Sequence, residues 1–197
     1  MSIHNEPEQD RTKRVLKIKD SLENIRQVIN NINILTDEEG FIKAALDQAL
    51  NAALNGTYGI GSVVVDTKSN EIKGRGYNKL NDAKDPAFFT LHAEIDALRN
   101  YFANNNRSVE NLVVYTTLES CPMCTIALLN AGVKKVVAGA PDRSGQLISH
   151  PNDLSPFWKE LMSGVDHRLY IGNPELGKAC SDLFELSRAE LYKLIAE

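Results

Sequence analysis

Between residues 61 and 139 the chain switches repeatedly between two hydrophobic periods, and this switching limits the folds open to it more than any other feature. "GSVVVD" (61–66) and "EIKGRGYN" (71–78) are runs of strand-forming residues separated by the turn-forming "TKSN", the pattern of a hairpin. "HAEIDALRN" (92–100) has helical spacing, and "NLVVYTTL" (111–118) reads as a strand. "CPMCTIALLNAG" (121–132) reads as a helix that Gly132 is placed to end, and "VKKVVAG" (133–139) as the next strand. A hairpin followed by alternating helices and strands implies an α/β sandwich with mixed strand pairing.

The flanks extend the pattern. Residues 1–14 are polar and charged and are expected to be loose. Apolar residues then recur at Val15, Ile18, Leu22, Ile25, Ile29 and Ile32, which predicts one amphipathic helix over 15–34. Thr36 and Glu39 have the spacing of a capping box, so a second helix is expected from Thr36 to about Leu54. Downstream, Pro141, Gly145, Pro151 and Pro156 mark a loop. A short helix around Trp158, the strand "HRLYIG" (167–172) and a closing helix from Glu175 follow.

No run of 18 apolar residues is present to span a bilayer, and "MSIHNEPEQDRTKR" has no apolar stretch to serve as a signal peptide. A cytoplasmic protein without a membrane partner is expected. The net charge of −4 weighs against a dedicated nucleic-acid binder, which would need a local basic patch. Three cysteines, Cys121, Cys124 and Cys180, are too few and odd in number for a disulfide framework, and point to metal or thiol chemistry.

Two predicted helices begin with residues that bind zinc. His92 opens one, and Cys121 and Cys124 share the first turn of the other, where i and i+3 lie on one face and the helix N-terminus favours thiolates. Three protein ligands leave a fourth tetrahedral position for water, the arrangement of a catalytic zinc site. Glu94 lies two residues from His92, about 200° around an ideal helix. The pair can share a pocket only if His92 sits at the helix entry, before the dihedrals become regular. Zinc would then lower the pKa of a bound water toward neutrality and Glu94 would move its proton, the machinery of hydrolytic deamination.

"HAE" at 92–94 and "CPMC" at 121–124 resemble the signature of the zinc-dependent cytidine deaminase-like enzymes. "VVYTTLESCPMCTIALLNAGVKKVVAGAPDRSG" looks like the central block of bacterial tRNA adenosine deaminases, guanine deaminases and fungal cytosine deaminases, and the resemblance runs over roughly residues 38–192. It implies a three-layer α/β/α sandwich with a five-stranded mixed sheet, a Zn2+ cofactor held by His92, Cys121 and Cys124, Glu94 as the catalytic residue, and a homodimer. It also implies an extension with the amphipathic helix (1–35) and one catalytic domain (36–197). Substrate contacts are expected from Asn78 in "GYNKL", from Ala93, and from Glu119 and Ser120 before the first cysteine. Phe88 and Phe89 in "AFFTL", longer than the corresponding link in the tRNA editors, are candidates to stack on a base. Ser120 stands where the family usually has Pro, and its hydroxyl is placed to cap the helix.

Each assignment has a structural rival. The metal cluster is set against a closed structural site, for which Cys180 would have to reach it, while a buried packing thiol is the better reading of that residue. Asn78 is set against an ordinary turn residue and Glu119 against a solvated one. His150 and His167 read as surface or strand residues, with His150 a candidate in a substrate loop, and Phe157 and Trp158 as core. A non-catalytic zinc-bearing subunit is the alternative to an enzyme, and the intact Glu94 argues against it. Among substrates, the acidic chain and the sparsely basic tail "ELSRAELYKLIAE" rank a free nucleobase or nucleoside ahead of tRNA. "APDRSGQLIS" does not resemble the acidic glycine-rich segment of the guanine deaminases, which counts against guanine.

Overall fold

The computed structural model describes residues 6–81, 85–104, 108–142 and 155–195, with residues 193–195 by main chain alone. Helices α1 (Glu8–Lys17), α2 (Lys19–Asn31) and α3 (Asp37–Leu54) precede the hairpin of β1 (Gly61–Asp66) and β2 (Glu71–Tyr77). Then come α4 (Ala93–Ala103), β3 (Leu112–Leu118), α5 (Pro122–Asn130), β4 (Lys135–Ala140), α6 (Pro156–Ser163), β5 (Asp166–Leu169) and α7 (Pro174–Ile195).

The sheet order is β2-β1-β3-β4-β5. β1 pairs antiparallel with both β2 and β3, whereas β3–β4 and β4–β5 are parallel. Mixed pairing follows from connection length: β1 reaches β2 through a tight turn, while β3 reaches β4 across the whole of α5. β1 and β3 are covered on both faces, which is why they read as near-continuous apolar runs. Val63, Val65, Val113, Tyr115 and Val137 pack against α2, α3 and α7 through Leu22, Ile29, Ile42, Leu46 and Leu183. Val64, Val114 and Val136 point to the opposite face, where Ala97, Leu98 and Tyr101 of α4 and Leu128 of α5 meet them. This is the expected α/β/α layering, with the strand period of two assigning alternate valines to opposite cores.

Local signals formed as their chemistry dictates. Thr36 and Glu39 make both halves of the capping box at the start of α3. Gly132 adopts a φ of 84° after α5, a conformation open to glycine at little cost.

The N-terminus departs from expectation. Part of the supposedly loose 1–14 segment is the helix α1, and the single helix expected over 15–34 is broken at Ile18, whose φ and ψ are −106° and 5°. Arg14, in the stretch expected to be loose, is buried in an ion pair with Glu6. Leu22 and Ile29 anchor α2, each fully buried side chain contributing about 1.5–3 kcal/mol. β5 is shorter than "HRLYIG", and α7 starts one residue early, at Pro174. Among the described residues no helix is long and apolar enough to cross a membrane.

α4 lies unusually close to β2. A Cβ added to Gly76 would sit 2.2 Å from the Ala97 nitrogen and 2.5 Å from the Ala93 oxygen, both backbone atoms that cannot rotate away. Gly76→Ala is therefore expected to lower unfolding stability by about 1–3 kcal/mol, the scale of an overpacked core. Urea denaturation checks this, and an unchanged midpoint would contradict so close a seat for α4.

Candidate active site

The N-termini of α4 and α5 converge beside the end of β3. His92 is the N-cap of α4, with φ −69° and ψ 160°, and Cys121 is the N-cap of α5, with φ −65° and ψ 166°. Both are extended, so neither side chain obeys helical spacing. This meets the requirement placed on His92: from its cap position it shares a pocket with Glu94, on the first turn of the helix. Pro122 occupies the first helical position of α5, where its missing N–H costs nothing, and brings Cys124 under Cys121.

The ligand atoms of His92, Cys121 and Cys124 all lie within 4.8 Å of one another. Cys121 Sγ is 3.5 Å from His92 Nδ1. A zinc ion at ordinary bond lengths and tetrahedral angles separates such a nitrogen and sulfur by about 3.5 Å, so the donor set fits zinc in both chemistry and spacing. The thiols differ in character. A hydrogen bond from the Cys124 thiol, with further help from His92, pulls Cys121 down to about 4 despite burial, whereas Cys124 is pushed far up as the donor. Burial lowers His92, but its hydrogen bond with Cys121 and the charges of Cys121 and Glu94 outweigh this and raise it.

Glu94 is buried, 3% exposed, and burial pushes its carboxyl up. Ser120 Oγ donates to its Oε1 at 2.9 Å. The expected helix-capping role of Ser120 is thus corrected: α5 has no side-chain cap, and the hydroxyl is turned onto Glu94 instead, a bond that proline could not make. Glu119 is buried rather than solvated, and one oxygen accepts the Asp142 N–H at 3.3 Å.

These residues open into a cleft of about 210 Å³. His92, Glu94, Cys121, Asn78 and Glu119 all line it. Asn78 Oδ1 accepts from Thr57 Oγ1 at 2.5 Å and from the Leu80 N–H at 3.3 Å, while its Nδ2 is buried without a partner among the described residues. Ala93 is buried at the first turn of α4, outside the lining. Phe88 and Phe89 form an edge-to-face pair on the turn before His92, also outside the lining, with Phe89 largely exposed.

Sequence reasoning missed the part of the lining that α7 supplies. Phe184, Arg188 and Tyr192 recur every fourth residue along α7, and the Arg188 guanidinium lies 5.6 Å from the Phe184 ring and 5.4 Å from the Tyr192 ring. That i, i+4, i+8 spacing was the available signal. Cys180, on the same helix, is a buried packing thiol against Gly139. Phe157 and Trp158 are not core: α6 has no buried residue, and Phe157 is 65% exposed. His167 lies on β5, where burial lowers it to about 4, and His150 lies outside the described residues.

Residues 35–140 match the model of the cytidine and deoxycytidylate deaminase zinc-binding region. The chain belongs to that family. This deaminase is 34% identical over 145 residues to a tRNA-specific adenosine deaminase of Haemophilus influenzae, covering 73% of this chain and 79% of that one. It is 35% identical over 103 residues to a cytosine deaminase of Candida albicans, covering 52% and 66% of the respective chains. A solved structure from a study of A-to-I editing by tRNA:A34 deaminases superposes with a TM-score of 0.58 at 25% identity, covering 73% of this deaminase and 98% of that chain. Its zinc site is the His92, Cys121 and Cys124 cluster.

Proposed function

We propose that this deaminase converts adenosine to inosine within RNA of the tRNA class, with His92, Cys121 and Cys124 as zinc ligands and Glu94 as the catalytic residue. The observation that carries the reading is that Phe184, Arg188 and Tyr192 line the same cleft as His92, Glu94 and Cys121. Aromatic faces next to a guanidinium suit a base splayed from a strand and its neighbouring phosphate. Relatives named for tRNA adenosine deamination support it, among them the Haemophilus influenzae enzyme, most of whose length the chain covers. This reverses the ranking drawn from net charge, which sums the whole surface and is insensitive to one cleft.

Zinc, when bound, supplies the Lewis acidity that makes water a nucleophile near neutral pH. Glu94 takes a proton from the attacking water and delivers it to the ring nitrogen next to the amine-bearing carbon; it then takes the proton of the hydroxyl now on that carbon and passes it to the amine, whose C–N bond breaks, so that water is consumed and ammonia released. Ser120 holds Glu94 Oε1 in place for both transfers. Asn78 presents its free N–H donors to an acceptor on the substrate. The family resemblance adds a homodimer to this reading, which sedimentation of the purified chain tests.

The second reading is a free nucleobase or nucleoside. It is favoured by the carboxylates of Glu119 and Asp142 on the cleft wall, which repel phosphate, and by the cytosine deaminase relative. Ammonia release from an adenosine-bearing tRNA anticodon stem-loop, compared with adenine, adenosine, cytosine and guanine, decides between them. Release from the stem-loop alone is expected. Release from a free base alone would transfer the assignment to the second reading.

A further inference from the structure

The turn at Asn55–Thr57 joins the N-terminal helices to the cleft. Gly56 has a φ of 73°, and a Cβ there would lie 2.7 Å from Arg11 Cγ and 3.2 Å from Val15 Cγ2, so α1 rests directly on it. Arg14 Nη2 donates to the Gly56 carbonyl at 2.8 Å. The same guanidinium is held by Glu6, Nε to Oε1 at 3.0 Å and Nη2 to Oε2 at 2.5 Å, both side chains being buried. One residue on, Thr57 is 1% exposed, its N–H bound to the Ala52 carbonyl at 3.1 Å and its hydroxyl to Asn78. Asn81 Nδ2 reaches the Asn55 carbonyl at 2.8 Å, which ties the loop after Asn78 to the same turn.

The orientation of the Asn78 carboxamide follows from donor chemistry. The Leu80 N–H can only donate, so the atom facing it must be Oδ1. Thr57 then donates to that oxygen, and the nitrogen is left, among the described residues, as the unpartnered end of a side chain that lines the cleft. A buried amide without a partner is costly, and a ligand acceptor would relieve it.

We propose that Thr57 and the Glu6–Arg14 pair are positioning residues: α1 clamps the turn, and Thr57 fixes the Asn78 carboxamide with its N–H donors presented to a hydrogen-bond acceptor on the substrate. The N-terminal extension is then part of substrate recognition, not a cover for the sheet alone. The proposal rests on the deaminase reading above only for the identity of what Asn78 binds.

The test is steady-state kinetics on the adenosine-bearing anticodon stem-loop. Because Asn78 takes no part in the proton transfers, its misorientation removes binding shared by ground and transition states and raises KM while leaving kcat. Thr57→Val is expected to raise KM about tenfold with kcat within about twofold, on the scale of one lost hydrogen bond, and Thr57→Ser to restore it. The double variant Glu6→Gln, Arg14→Met removes the ion pair without leaving one charge buried, and should do the same. Neither should act further in an Asn78→Ala background. An equal KM rise in that background, or loss of zinc from either variant, would overturn the proposal. If the wild type is inert toward the stem-loop, the RNA reading fails, and ¹⁵N spectra of the side-chain amides judge the network independently. Displaced Asn78 resonances in both variants would uphold it, and unmoved resonances would refute it.

Discussion

Glu94→Ala is expected to retain a full complement of zinc and the native fold while deamination falls by at least ~10²-fold, the scale of losing a general acid and base. The argument is geometric. Glu94 lies outside the cluster of three ligand atoms, so its removal leaves the ion's protein donors intact. It is buried at the cleft, fixed by Ser120, and is the carboxylate of the first turn that shares the pocket with His92. Single-turnover ammonia release, beside metal analysis of the same sample, separates the two properties. Activity within tenfold of wild type would remove Glu94 from the reaction. A fall in zinc content equal to the fall in rate would make it a ligand instead.

Cys121→Ala should have the larger effect, with zinc and activity lost together. Two remaining donors, His92 and Cys124, cannot complete a site that needs three protein ligands and one position for water. Chelator treatment of the wild type should reproduce the loss and added zinc should reverse it, whereas the variant should stay inactive after the same addition. Normal zinc stoichiometry in Cys121→Ala would show that a different set of residues holds the ion.

The parts of the fold and site that were legible are those fixed by short stretches of chain. The capping box at Thr36, the terminating Gly132 and the strand run of Val63 to Val65 each depend on a few neighbouring residues. His92, Cys121 and Cys124 were legible because zinc imposes donor types, and the helix entries bring their spacing together. The break at Ile18 was not, since the apolar spacing from Val15 to Ile32 runs through it unchanged and one non-helical residue does not disturb a pattern of threes and fours. The capping role expected of Ser120 was misread because its partner lies 26 residues away, and its neighbours offered only a local cap. Phe88 and Phe89 show the converse: closeness in sequence to His92 did not bring their rings to the cleft. Arg188 and Tyr192 come to the cleft through the packing of α7 across the sheet, which no stretch near the metal ligands encodes.

The two sides of α7 answer to different demands. Leu176, Ala179, Cys180 and Leu183 are bound into the core, Arg188 and Tyr192 meet whatever enters the cleft, and Phe184 belongs to both. A helix divided lengthwise in this way allows the mouth to be refitted by a few exchanges along one stripe, with the catalytic floor on α4 and α5 left as it is. A lineage carrying this architecture can change what it acts on without relearning how to fold or how to hold its metal.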